Sequence, residues 1–363
     1  MTEQGGAALK KSDAREPADG VPAGVHPSTS PGSTGSALAS MPMIWGYVML
    51  VTSIVFNGLR YNLEAAALNV QPESSPPISP LGVVIAANYG SVVACLLTGW
   101  VWRQLGLTWG SLHRVSFAAC IEAARAQGWP VLLAGFGAAS GGWFINQTNK
   151  LYGPEFTAFL GNLIPAILVL TGLLSGERLR LRELFAVGVT IAGAFVFSYR
   201  DGQMNWSGIG LMVAGCVLMS MKKSLMKHAT GVGHLPSVMT LSLFLVATWG
   251  LIGAISSGSL HFGTARSIGL CVAAGISGAM IGMSLLYAGL NVVGLARGAP
   301  IDSLRPLAVV AIGMITGTAL PARLQLLGGA MVLIGSAALA GMGSRRKELE
   351  RASAPVVAAA TKP

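Results

Sequence analysis

Apolar residues run along this chain in blocks of roughly twenty, the length at which a helix rising ~1.5 Å per residue crosses ~30 Å of hydrocarbon. Ten blocks lie near 43–62, 80–102, 129–149, 154–175, 183–199, 206–226, 236–257, 267–292, 295–317 and 324–342. A barrel would instead show alternating segments of ~10 residues. The pattern predicts an all-α, polytopic membrane protein with ten transmembrane helices. Residues 1–42 are rich in Ala, Gly, Pro and Ser without periodicity, a composition that cannot bury enough apolar surface to order itself. They read as a disordered N-terminal tail and not as a signal peptide, because no apolar core follows the basic stretch until residue 43. Residues 344–363 form a basic C-terminal tail. The loop 103–128 is longer than the others. Val115, Ala118, Ala119 and Glu122 leave a mild helical face there, which predicts a short helix on the membrane interface anchored by Trp109 and Trp129.

Two stretches repeat. "NLIPAILVLTGLLSGERLRLREL" begins at Asn162 and "SLRPLAVVAIGMITGTALPARLQ" at Ser303. A shift of 141 residues sets Pro165 on Pro306, Gly172 on Gly313, Gly176 on Gly317 and Leu179 on Leu320. One extra loop residue then sets Gly193 on Gly335. Two fused units, 43–199 and 206–342, explain this. Each holds five spans, so the second enters the membrane from the opposite side. Inverted repeats are how many carriers build two access states around one midplane site. The paired prolines fit that plan. Proline is harmless where a helix starts. Deeper in, it frees carbonyls that must be satisfied by protein or a cavity.

Composition agrees. The charged share is 10% and the hydrophobic share 52%, with a mean hydropathy of +0.62, whereas soluble domains carry about 25% charged residues. Gly makes up 48 of 363 residues, which suits helices that approach closely in lipid. The net charge of +10 could attract nucleic acid, but the basic residues sit in short loops, as orientation signals do. With both termini cytoplasmic, 18 of the 24 Lys and Arg fall inside and five outside (Arg60 among the five), with Arg305 left within a span. Cys95, Cys120, Cys216 and Cys271 have no metal-ligand or redox spacing and read as packing residues.

The repeated stretch resembles the EamA-type unit of the drug/metabolite transporter superfamily. The marks are a proline-led apolar helix, a short Gly-containing turn, and a helix with small residues seven apart. Here these are Pro165, "SGERLRL" from Ser175, then Ala186 and Gly193; the second unit has Pro306, "TGTALPARL" from Thr316, then Gly328 and Gly335. "IWGY" at Trp45 and "WSGIG" at Trp206 resemble the family's entry helices. The second unit departs from the pattern with Thr318 in place of Glu and an added Pro321. The resemblance implies an inner-membrane exporter of a small metabolite or drug-like solute.

Ionisable and polar groups within spans are the candidates for its pathway. Asp302 and Arg305, three apart, can pair or can meet a solute or proton. Arg60 and Lys222 match between spans one and six, each also able to snorkel to its own interface. Asn57, Asn88, Tyr89, Asn146, Gln147, Asn149, Asn162, Tyr287 and Asn291 add amides and phenols from five spans, with Trp143 and Phe144 as an apolar wall. Each polar group serves equally as interhelical glue worth ~0.6 kcal/mol. Pro165 and Pro306 complete the set of pathway candidates. Glu177, before Arg178, Arg180 and Arg182, reads as fixing a turn.

A secondary carrier working by alternating access accounts for most of these features. A proton carried by Asp302 or Glu155 could drive it. No "GxxxxGK[ST]" loop is present to bind ATP. A membrane-embedded enzyme would need clustered His or carboxylates, but His26, His113, His228, His234 and His261 all lie in tails or loops. A channel would need a charged ring or filter, and a scaffold would tolerate loss of every polar group within a span. The sequence implies no cofactor, no metal and no nucleic-acid partner. It leaves monomer or homodimer open, with a small-molecule solute and membrane lipid as partners.

Overall fold

The computed structural model describes residues 42–70, 76–106, 115–174, 181–200, 203–229, 235–293, 301–317 and 321–360. Residues 1–41 and the Glu177 turn lie outside them. Thirteen helices account for nearly all of the described residues: α1 Met43–Asn69, α2 Pro80–Gln104, α3 Phe117–Gln127, α4 Trp129–Tyr152, α5 Pro154–Gly161, α6 Leu163–Leu174, α7 Leu181–Ser198, α8 Trp206–Ala229, α9 Leu235–Ser256, α10 Ala265–Ala274, α11 Met283–Val293, α12 Arg305–Ile315 and α13 Arg323–Ala360. A π-helical segment, Gly275–Gly282, joins α10 to α11. A two-residue hairpin, β1 Tyr199–Arg200 with β2 Gln203–Met204, connects α7 to α8. Among the described residues, six stretches are long and apolar enough to cross a membrane: Met43–Asn69, Pro80–Gln104, Leu181–Ser198, Ser237–Ser256, Ala265–Leu290 and Arg323–Met342. The fold is that of an all-α, multi-pass membrane protein.

The helix ends follow from sequence chemistry. Ser79 caps α2 by accepting from the Gly82 N–H, and Pro80 fills the first turn, where a missing N–H costs nothing. Ser116 caps α3 in the same way through Ala119. Gly153, at φ 90°, ends α4 in a conformation that favours glycine, and Pro154 starts α5. Trp109 lies outside the described residues, and the short helix expected in the 103–128 loop is α3. Its Cys120 and Ala123 pack on Val238 and Leu241 of α9, while Phe117 and Ile121 face outward.

α2 packs on α9, α7 on α13, α4 on α8, and α1 on both the π segment and α11. Glycine makes the closest approaches. A Cβ on Gly193 would stand 2.8 Å from the Gly328 carbonyl oxygen, and one on Gly335 would stand 2.9 Å from the Ala186 oxygen. The repeat shift turns each of these contacts into the other. Asn162 donates 2.7 Å to the carbonyl of Ser303, its own counterpart at the 141-residue shift.

Three differences from the sequence reading bear on the site. First, α1 continues to Asn69, because nothing in "RYNLEAAALN" breaks a helix. Arg60 is therefore not an outer loop charge; it sits within the helix with Glu64 one turn on. Second, both proline-led helices are broken. α5 stops at Asn162 (ψ 0°) and α6 restarts at Leu163. The second half turns at Ser303–Leu304 (Leu304 ψ 1°) and α12 restarts at Arg305. Pro165 and Pro306 thus each stand in the first turn of a half-helix. Third, α13 runs to Ala360, so the basic tail set apart at 344 begins inside it.

Candidate functional site

The two breaks meet, and α1 crosses beside them. The Asn162–Ser303 hydrogen bond ties the breaks together. α1 supplies Arg60, Tyr61, Asn62 and Glu64. The Asn62 amide donates to the Val309 carbonyl on α12 at 3.2 Å, which fixes the register of α1 against α12. The Asn149 amide of α4 donates to the Tyr61 carbonyl at 3.3 Å. Tyr61 lies close to the Arg305 guanidinium, and a Cβ on Gly161 would lie 3.8 Å from the Tyr61 hydroxyl.

Two ion pairs flank this tyrosine. Arg60 Nε donates to Glu64 Oε1 at 2.7 Å, and Arg305 Nη2 donates to Asp302 Oδ1 at 2.5 Å. The first follows from i, i+4 spacing on a continuous helix. The second spans the break before α12, so Asp302 reaches forward from the preceding turn. The two guanidiniums lie close enough to feel each other's charge. As two ion pairs the cluster is neutral overall, which is how charge survives away from water. The Glu64 side chain is 3% exposed. Arg60, Asp302 and Arg305 keep 32%, 28% and 25% of their side-chain surface open.

The hydrogen-bond ledger here is incomplete. Arg305 Nε, Asn146 Oδ1 and Asn149 Oδ1 are buried with no partner among the described residues. A buried unpaired polar atom costs about 1–3 kcal/mol, so three near one cluster mark a place where something else can bind.

The π segment packs closely on α1 and α2. A Cβ on Gly278 would fall 2.2 Å from Arg60 Cδ, one on Gly282 2.8 Å from the Asn57 amide nitrogen, and one on Gly275 2.0 Å from the Ala87 oxygen. Gly278 lets the π turn lie directly on the Arg60 stem, Gly282 brings it against Asn57, and Gly275 brings it against the α2 backbone. Such turns recur at functional sites.

Asn162 bonds beside the Asp302–Arg305 pair and Asn149 bonds the Tyr61 carbonyl, with Asn146 one turn along α4. Pro165 and Pro306 start the helices that meet there. Asn57 and Asn88 instead bond carbonyls of their own helices, Ser53 and Val84. Tyr89 pairs with Thr248 on α9 at 3.2 Å, away from the breaks. Lys222 lies on α8 and Glu155 in the first turn of α5. The side chains of Tyr287 and Asn291 lie outside the described residues. Tyr61 and Glu64 had not been singled out. The signal for Glu64 was an Arg and a Glu four apart in a helix with no stop between them.

No protein-family model matches the chain, and no curated protein matches it. Solved structures do resemble it. A crystal structure described only as that of a protein superposes with a TM-score of 0.53 over 86% of this chain and 99% of its own, at 18% identity. At that identity the likeness shows the fold alone. Function has to be read from the site.

Proposed function

We propose that the protein is a secondary carrier of the EamA type. Ten spans, arranged as two inverted five-helix units, carry a small solute across a cell (inner) membrane by alternating access. The observation that carries this reading is the neutral four-charge cluster with an unpartnered Arg305 Nε at the meeting of two broken helices. Discontinuous helices are tolerated at membrane depth only where they line protein or a cavity, and carriers place solutes there. The reciprocal contacts Gly193–Gly328 and Ala186–Gly335 support the two-unit plan, since a two-fold axis pairs residues in this way. The Asn162–Ser303 bond between counterparts would lie on that axis. Moving Arg60 into the bundle leaves four of the 24 basic residues outside, which strengthens the orientation with both termini cytoplasmic.

The test is unfolding temperature in mild detergent against amino acids, nucleosides, sugar phosphates, polyamines and hydrophobic cations. A solute at ~100 times its Kd stabilises by about 2.7 kcal/mol. The proposal expects at least one shift that disappears in Arg305→Ala. Shifts that survive that change, or none with any compound, argue against a solute site at the breaks.

A further inference from the structure

The Arg305 edge has a geometry that names a ligand class. Nη2 and Nε lie on the same side of a guanidinium and together form the fork that a carboxylate fills with two parallel hydrogen bonds. Asp302 fills half of it: one oxygen sits on Nη2 at 2.5 Å. The neighbouring Nε–H is buried and unpartnered. Asp302 reaches Arg305 across the helix break and engages it with a single oxygen. A free carboxylate, not tethered to that turn, can take both positions.

Charge then constrains the exchange. The cluster is neutral with Asp302 on Arg305, so an added anion would leave it with one net negative charge. Its cost falls if the displaced Asp302 carboxylate takes up one proton from water, which restores neutrality. The charged and titratable groups facing this position are Arg305 itself, Arg60, Tyr61 and Glu64 from α1, and Cys216 of α8 near Tyr61. From α5 the nearest is Glu155, at its far end. Arg60 is already held by Glu64, so among the carboxylates Asp302 is the one released.

We infer that the central site takes a small monocarboxylate, which displaces Asp302 from the Nε/Nη2 edge of Arg305 while Asp302 accepts one proton. Anion and proton thus bind together, and the loaded site carries no added charge. This rests on the carrier reading of the same site, but it can fail separately.

The experiment uses the full-length protein in detergent, with acetate and benzoate as probes and acetamide and benzamide as neutral controls. Unfolding temperature is titrated at pH 6, 7 and 8. The expected result is stabilisation by a carboxylate and not by its amide, with Kd rising about tenfold per pH unit, as one linked proton requires. Asp302→Asn should keep the binding and lose its pH dependence, because the competing charge is gone. Arg305→Lys should abolish the binding, since an ammonium has no fork. Amides as effective as acids, a wild-type Kd equal at all three pH values, or no response to either carboxylate would each overturn the inference. An amine or nucleoside that acts through Arg305 would leave the carrier reading standing while sinking this one. Carboxylate binding without two-sided access would do the reverse.

Discussion

Gly193→Ala tests the close packing of α7 on α13. The new methyl would lie 2.7 Å from Met331 Cβ, 2.7 Å from the Val332 nitrogen and 2.8 Å from the Gly328 oxygen. Carbon contacts are comfortable at ~3.5–4.0 Å, so α7 and α13 must separate by about 1 Å. Two of the three obstacles are backbone and cannot swing aside. Overpacking of this kind costs about 1–3 kcal/mol. Against it stands the better helix propensity of Ala, worth about 1 kcal/mol. The net expectation is a loss of about 0–2 kcal/mol. Gly188→Ala, one and a half turns away, is the control: nothing lies within 4 Å of its added Cβ. It gains the propensity without the clash and should stabilise by about 1 kcal/mol. The two variants should therefore differ by about 1–3 kcal/mol, several degrees in Tm. Cys95, Cys120, Cys216 and Cys271 are all buried, so a thiol-reactive dye reports the melt. The double variant Gly193→Ala with Gly335→Ala should lose less than the sum, because separating the helices once relieves both sites. Equal stability of Gly193→Ala and Gly188→Ala would refute the close approach.

Further predictions concern the charges and the caps. Glu64→Gln removes the counter-charge of the partly buried Arg60 and should cost about 1–3 kcal/mol by thermal unfolding, with Arg60→Gln in the same chain recovering part of the loss. Gly278→Leu puts side-chain atoms where the Arg60 stem lies; it should weaken solute binding by tenfold or more in a thermal-shift titration, whereas Gly269→Leu, with nothing within 4 Å, should leave binding unchanged. Ser116→Ala removes the cap of α3 and should cost about 1 kcal/mol locally, seen as faster amide exchange in 117–121 without a change elsewhere.

Much of the fold was legible in the chain because lipid demands long apolar helices and leaves few alternatives. The repeat shift picked out Gly193 and Gly335 and the family resemblance added Ala186 and Gly328, and these four are where α7 and α13 touch. The prolines drew attention to the right turns, but the spans holding them were read as continuous; the breaks come just before them, and each restarting helix carries its proline in the first turn, where a missing N–H costs nothing. The end of α1 was misplaced because Arg60 looked like a boundary: a lone charge after an apolar run reads as an interface until its partner, one turn further, is counted. That error hid Glu64 and Tyr61. Asn57, Asn88 and Tyr89 carry the right chemistry for a pocket, but residue type does not reveal facing. Two of them satisfy their own helix and the third bonds a neighbour away from the breaks. The Gly275–Gly282 π turn had no signal beyond its glycines.

The central claim is that the meeting point of the two breaks opens in turn to each side of the membrane. With Cys95, Cys120, Cys216 and Cys271 replaced by Ala, a single Asn162→Cys can be challenged with a membrane-impermeant maleimide in right-side-out and in inverted vesicles. The account predicts labelling from both faces, each slowed by a solute that stabilises the protein through Arg305. Labelling from neither face, or from one face only, would contradict it.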